Sequence, residues 1–190
     1  MQQTAFRQCF NDTTIELHLG DIAEERVDAI VAAADEHLNF TGDGAAALRR
    51  KAGASIEQAC ASIGYCPSGH AVLTAAGALN ARYLIHAVGP RMGEGDEEQK
   101  LVSLAQECLT LARERGLASI ALPAIGTGAF GFEAHRAAHL LLTTCVRHAS
   151  SAAALKRIVF VLGEPAAYDV FVGALNDLYQ ASRRRGGPGS

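Results

Sequence analysis

The stretch SIALPAIGTGAFGF, residues 119–132, runs from an apolar segment directly into a loop that holds three glycines. Residues 119–125 have the length and apolar character of a buried strand. The glycines lie between this strand and a predicted helix over residues 133–149. Glycine allows positive φ and close approach of backbone N–H groups, and a helix N-terminus adds a partial positive charge. The stretch therefore predicts a loop that holds a phosphate or diphosphate group.

Strands and helices are predicted to alternate along the chain. The predicted strands cover residues 14–19, 27–32, 70–75, 82–88, 119–125 and 157–162, and the predicted helices cover 44–62, 96–115, 133–149 and 165–181. Asp96 and Gln99 have the spacing of a capping box, with Asp96 as the N-cap. The connection between strands 70–75 and 82–88 is too short for a helical crossover, so these two strands are expected to run antiparallel. The alternation predicts a three-layer α/β/α fold with a mixed, mainly parallel central sheet.

Length and composition indicate one globular domain. The chain has 190 residues with 49% hydrophobic residues and a net charge of −3, and we expect a single domain over 1–182 and a disordered basic, Gly/Pro-rich tail over 183–190. No signal peptide or membrane span is predicted, and five scattered cysteines without a CxxC pattern are typical of reduced thiols. We therefore expect a cytoplasmic monomer with no membrane or nucleic-acid partner and no cofactor.

Ligands of such folds bind beyond the carboxyl ends of the strands. This rule selects the loops after Leu19, Ala32, Val88 and Ile125. Three aspartates in two of these loops are candidate ligand contacts: Asp21 follows the first strand, and Asp35 and Asp43 follow the second. A carboxylate there can accept from an amine or a ribose hydroxyl, but it can equally cap a turn or a helix. Both interpretations stay open for these aspartates.

Two other kinds of site are considered, a dinucleotide site and a metal site. Residues 126–131 match the dinucleotide fingerprint G-x-G-x-x-G, but the acidic residue it requires about 20 positions later is absent between Glu133 and Glu164. His135 and His139 share a helix face and could chelate a metal, yet the sequence offers no third ligand. We therefore expect neither a dehydrogenase nor a metal site.

Five stretches, in order and spacing, resemble the macrodomain family over residues 14–179. They are GDI (20–22), VDAIV (27–31), CPSGHA (66–71), YLIHAVGP (83–90) and LPAIGTG (122–128), the last continuing to Phe132. The resemblance implies a macrodomain-like fold with about six strands and a pocket for ADP-ribose, free or attached to a protein. It also implies that Asp21 accepts from the adenine amine and that Phe130 or Phe132 packs against a ribose.

The residues expected to contact the ligand lie on three loops. They are Asp21, Ile22, Ala34, Asp35, Gly42, Asp43, Gly44, Ala45, Ala124, Gly126, Thr127, Gly128, Ala129, Phe130, Gly131 and Phe132.

The chain departs from the hydrolytic macrodomains in the loop after the second strand. Those members usually have Asn-Ala-Ala-Asn where this chain has Ala32-Ala33-Ala34-Asp35, and the acidic residue of the deacetylating subgroup falls on Ala45. This pattern is more similar to binding-only members. Three hypotheses follow: a module that binds ADP-ribose; an ADP-ribosyl hydrolase, with Asp35 and Asp43 as the candidate catalytic residues; and a module for another nucleotide or for nucleic acid.

Overall fold

The computed structural model describes residues 3–41, 44–150 and 155–185. Within these ranges the strands are β1 (Gln3–Phe10), β2 (Thr13–Leu19), β3 (Ala29–Ala34), β4 (Ala71–Ala75), β5 (Tyr83–Val88), β6 (Ser119–Pro123) and β7 (Arg157–Leu162). The α-helices are α1 (Ala45–Ala52), α2 (Ala54–Ile63), α3 (Glu97–Glu114), α4 (Ala134–Ala149) and α5 (Pro165–Arg185). Two 3-10 turns, Ile22–Glu24 and Gly128–Phe130, follow β2 and β6.

The strands form one sheet in the order β1-β2-β7-β6-β3-β5-β4. The five central strands run parallel, and β1 and β4 pair antiparallel at the two edges. The prediction of a mixed, mainly parallel sheet is thus confirmed, as is the antiparallel pairing of β4 with β5. Strand β1 was not predicted; it forms a hairpin with β2 through a turn in which Asn11 has a φ of 51°.

Helices cover both faces of the sheet, which gives the predicted three layers. One face packs against α3, α4 and α5 around a core that includes Leu104, Leu141 and Phe171. The other face packs against α1 and α2 around a smaller core that includes Leu48 and Ile56. The parallel strands β2, β7, β6, β3 and β5 all end at the same edge of the sheet. Their loops therefore meet there and form one surface.

Two predicted helix boundaries are corrected by the structure. The helix predicted over 44–62 is two helices, because Gly53 has a φ of 85° and ends α1 before α2 begins. Asp96 is not a side-chain cap: its φ is 56°, and its carboxylate makes no capping hydrogen bond. Instead, the Glu97 carboxylate accepts hydrogen bonds from the N–H groups of Gly93 and Gly95. The glycine-rich segment before α3 therefore places the N–H groups of Gly93 and Gly95 within hydrogen-bonding distance of Glu97 in the first turn of the helix.

The last helix is longer than predicted. Helix α5 extends to Arg185, so residues 183–185 of the predicted disordered tail are helical. The Arg183 guanidinium lies 6.0 Å from the centre of the Tyr179 ring, a distance at which a cation–π contact can favour helix over coil. The remainder of the predicted tail, residues 186–190, lies outside the described residues. Among the described helices, none has the length and apolar character needed to cross a membrane.

Candidate ligand-binding site

A cleft with a cavity of about 660 Å³ opens at the carboxyl edge of the sheet. It extends from the loop after β2, past the ends of β7 and β6, to the loop that precedes α1. Eight of the sixteen predicted contact residues line it: Asp21, Ile22, Gly44, Ala124, Gly126, Thr127, Gly128 and Phe130. Gly42 and Asp43 lie outside the described residues, and only the backbone is described for Ala45 and Ala129. The structure thus gathers residues from three loops into one site.

The loop after β2 forms one end of the cleft. Asp21 caps the 3-10 turn Ile22–Glu24, because its Oδ1 accepts a hydrogen bond from the Ala23 N–H at 2.9 Å. Ile22 is buried, and its Cγ2 would lie 3.4 Å from a Cβ atom placed on Gly44. The start of α1 therefore lies in contact with this turn. Asp21 combines a capping role with a place in the cleft wall.

The glycine loop after β6 forms the middle of the cleft. Gly126, Gly128 and Gly131 have φ values of 95°, 66° and 84°, which L-amino acids with a Cβ rarely adopt. The Phe132 N–H donates to the Gly126 oxygen at 2.9 Å, so the loop folds back on itself. Within the described part of the chain, the N–H groups of Gly126 and Gly128 have no protein acceptor. Both residues line the cavity, and unpaired backbone donors beside a cavity are a typical contact for an anionic ligand.

The two candidate aromatic residues have different surroundings. Phe130 lines the cleft and lies against Gly89, where an added Cβ would come within 3.2 Å of its ring. Phe132 does not line the cavity; its ring packs against Gly126, which also contacts Leu101 of α3. It belongs to the core on the α3 face of the sheet. Both rings are buried, at 6% and 7% exposure, and of the two it is Phe130 that lines the cleft.

Asp35 stabilises its own turn. Its carboxylate accepts from the N–H groups of His37 and Asn39, both at 2.9 Å, and from the Asn39 side-chain amide. Burial alone would raise the pKa of Asp35, but the hydrogen bonds from Asn39 and His37 outweigh it and lower this pKa. Neither Asp35 nor Ala34 lines the cavity, and neither does Gly131, which contacts Met92 instead. Their contacts with a ligand stay predictions.

The cleft wall also includes a segment that the sequence interpretation missed. Val161, Leu162, Gly163, Glu164 and Ala167 line the cavity at the junction of β7 and α5. The rule that ligands bind at the carboxyl ends of parallel strands applies to β7 as well. Applied to every predicted strand, that rule would have found this segment.

In the described residues, no cluster of three or more His, Cys, Asp or Glu side chains could hold a metal ion. His135 pairs with Glu133 at 2.9 Å at the exposed start of α4. The five cysteines are free thiols. Among the described residues, the cleft therefore offers backbone donors, the carboxylates of Asp21 and Glu164, and apolar surface to a ligand.

The protein is an α/β protein with a cleft suited to a phosphorylated ligand. This class follows from the order of the strands, the glycine loop after β6 and the cleft at the carboxyl edge of the sheet. The chain belongs to the Macro domain family, whose model matches residues 31–141. A curated relative, the macro domain-containing protein TTE0995 of Caldanaerobacter subterraneus subsp. tengcongensis, is 39% identical over 86% of this chain and 97% of its own length.

Two further comparisons bear on the site. The O-acetyl-ADP-ribose deacetylase of Citrobacter rodentium is 42% identical over 75% of this chain and 84% of its own length. The structure of the Oceanobacillus iheyensis macrodomain with ADP superposes with a TM-score of 0.89 and 27% identity, covering 95% of this chain and 98% of that one. The macrodomain fold expected from the sequence is confirmed.

Proposed function

We propose that this protein binds ADP-ribose, free or attached to a protein, in the cleft at the carboxyl edge of the sheet. The observation that carries the proposal is the glycine loop after β6, in which the N–H groups of Gly126 and Gly128 have no acceptor among the described residues. The cavity of about 660 Å³ is in the range of pockets for ligands of this size. The likeness to a macrodomain solved with ADP supports the same ligand class.

The elements of the cleft suggest how the ligand lies. Asp21 and Ile22 receive the adenine end, with the Asp21 carboxylate accepting from the exocyclic amine. The diphosphate lies against the glycine loop, where backbone N–H groups and positive φ favour an anion. Phe130 packs against the distal ribose. The segment after β7, with Gly163 and Glu164, closes the adenine end from the other side.

Isothermal titration calorimetry with ADP-ribose tests this proposal. We expect saturable binding, and a ligand concentration 100 times the Kd should stabilise the fold by about 2.7 kcal/mol. Replacement of Asp21 by Ala should weaken binding about tenfold, through loss of one hydrogen bond to the adenine amine worth about 1–1.5 kcal/mol. Asp12→Ala, in the exposed turn between β1 and β2, is the matched control and should bind as the wild type does. Absence of both heat and thermal shift at millimolar ligand would reject the proposal.

A hydrolase remains the second candidate, and the likeness to an O-acetyl-ADP-ribose deacetylase favours it. Two observations count against a hydrolase. Ala32, which stands where hydrolytic members have an asparagine, is fully buried and has no polar side chain. The Asp35 carboxylate already accepts hydrogen bonds from N–H groups of its own turn. Incubation of the protein with O-acetyl-ADP-ribose in excess distinguishes the two functions. Product that accumulates beyond one equivalent per protein would establish turnover. In that case, Asp43→Ala would test the other predicted acid.

The remaining expectations concern partners and location. A cytoplasmic monomer that does not bind nucleic acid stays a prediction. Gel filtration with light scattering tests the oligomeric state, and filter binding at several salt concentrations tests nucleic acid.

A further inference from the structure

A buried group of charges lies beneath the loop that forms the adenine end of the cleft. Strand β2 sends Ile15 and Leu17 into the core on the α3 face, so Glu16 and His18 point to the opposite face of the sheet. Glu16, His18 and the nearby Glu25 are only 9%, 3% and 2% exposed. Ionisable side chains are buried to this extent when they are paired with one another.

The geometry of this group places a carboxylate at each ring nitrogen of the histidine. His18 Nδ1 lies 2.7 Å from Glu25 Oε1, and His18 Nε2 lies 3.1 Å from Glu16 Oε2. When both carboxylates are ionised they can only accept, so both ring nitrogens then carry a hydrogen and the ring is an imidazolium. Arg157 of β7 donates to Glu16 Oε2 from Nε at 3.0 Å and from Nη2 at 2.9 Å. Two cations and two anions therefore balance in this group.

The same group anchors the loop that lines the cleft. Glu25 directly follows the 3-10 turn Ile22–Glu24, and its N–H donates to the Ile22 oxygen at 3.2 Å. Its carboxylate is fixed to His18 on the sheet. Asp21 caps the other end of this turn, and both Asp21 and Ile22 line the cleft. A movement of Glu25 would therefore be transmitted to the two residues at the adenine end.

We propose that His18 is a positioning residue for the ligand: its imidazolium holds Glu25, and with it the turn that presents Asp21 and Ile22. The affinity for ADP-ribose then depends on the proton of His18. This inference rests on the proposed ADP-ribose binding.

The direction of the effect follows from the charge balance. When His18 loses its proton, the buried carboxylates of Glu16 and Glu25 face one guanidinium, which leaves an uncompensated negative charge beneath the cleft. A buried unpaired carboxylate moves towards water, and an added negative charge repels a diphosphate. Both consequences weaken binding. Among the described residues, Glu16 on β2, Glu25 after the turn and Arg157 on β7 are the charged groups of this network.

The sign of the pH dependence agrees with this picture. The hydrogen bond to Glu25 raises the pKa of His18; burial opposes the rise, and Glu16 adds to it. The pKa of His18 is higher in the folded protein than in the unfolded chain, where it is about 6.5. The ion-pair network is therefore complete below about pH 6.5 and is lost as the pH rises through the pKa of His18 in the folded protein. ADP-ribose itself keeps its charge over this range.

Calorimetric titration with ADP-ribose from about pH 6 to about pH 9.5 tests the inference. We expect the wild-type Kd to rise about tenfold across the folded pKa of His18 and the Kd of His18→Gln to stay constant. His139→Gln is the matched control, because His139 is exposed on α4, on the opposite face of the sheet. It should keep the wild-type profile. A wild-type slope that persists in His18→Gln would overturn the inference.

An NMR titration of the His18 ring in the wild-type protein avoids any effect of substitution on folding. By linkage, a tenfold change in affinity requires that ADP-ribose raise the pKa of His18 by about one unit. An identical pKa with and without ADP-ribose would overturn the inference while leaving the proposed binding function intact. Absence of ADP-ribose binding at every pH would reject the binding function itself, and the inference with it.

Discussion

Replacement of Gly126 by alanine is expected to damage the glycine loop far more than the same change at Gly128. Gly126 has a φ of 95°, and an added Cβ would lie 3.2 Å from Phe132 Cδ2 and 3.3 Å from Leu101 Cδ2. Gly128 has a φ of 66°, and a Cβ there would meet no atom within 4 Å. Both variants therefore carry backbone strain, which is smaller at Gly128, while the crowding is confined to Gly126→Ala.

The magnitudes follow from these two effects. An alanine in a rarely populated backbone region costs about 1–3 kcal/mol, and overpacking against two buried side chains adds about 1–3 kcal/mol at Gly126. The alanine at Gly128 lies inside the left-handed helical region and should cost about 1–2 kcal/mol. The smaller entropy of the unfolded chain favours both alanine variants equally, so it cancels in the comparison.

Urea unfolding of both variants measures these costs. We expect the free energy of unfolding of Gly126→Ala to fall at least about 1 kcal/mol further than that of Gly128→Ala. We also expect the ADP-ribose affinity of Gly126→Ala to fall about tenfold, equivalent to about 1.4 kcal/mol, because Phe132 and the loop must shift to admit the methyl group. An equal or larger loss of stability in Gly128→Ala would refute the reasoning from crowding.

Three further predictions concern charged and buried groups. Asp35→Ala should lower the free energy of unfolding by about 0.5–1.5 kcal/mol, because exposed backbone N–H groups of its turn exchange the carboxylate for water. Asp35→Asn should lose less stability, and a wild-type free energy of unfolding in the alanine variant would contradict this role. Burial lowers the pKa of His86 to about 4. The contribution of the neutral ring to the free energy of unfolding is therefore fully present above about pH 6.5 and is lost as the pH falls towards 4. The total loss is on the order of 3 kcal/mol. Urea unfolding from pH 7 to pH 4 should show a shallower loss in His86→Gln, and an unchanged slope would count against His86 as its source. Asp28→Ala should cost about 1–3 kcal/mol in thermal or urea unfolding, because its carboxylate accepts both the N–H and the hydroxyl of Ser119; a change below about 0.5 kcal/mol would contradict it.

Several features of this protein could be predicted from short-range sequence patterns. The apolar run before Gly126 identifies β6, and the short connection between β4 and β5 dictates their antiparallel pairing. The glycines after β6 locate a loop with positive φ values, because positive φ is a property of single residues. Each of these signals depends only on residues that are close together in the sequence. The order and spacing of the five stretches that resemble the macrodomain family add information about the whole chain.

The tertiary structure decided the features that depend on residues distant in sequence or on the direction of a side chain. Phe130 and Phe132 are two positions apart, and the backbone path set by Gly126 and Gly131 directs one to the cleft and the other to the core. The role of Asp35 depends on a turn that brings donors back to its carboxylate.

The buried charge network is the clearest case of this dependence. Arg157 meets Glu16 across 141 positions of sequence because β7 inserts next to β2 in the sheet. The sequence of each strand gives its length and its apolar face. The sheet order places the ion pair beneath the cleft, since only the packing of all the strands determines which of them become neighbours.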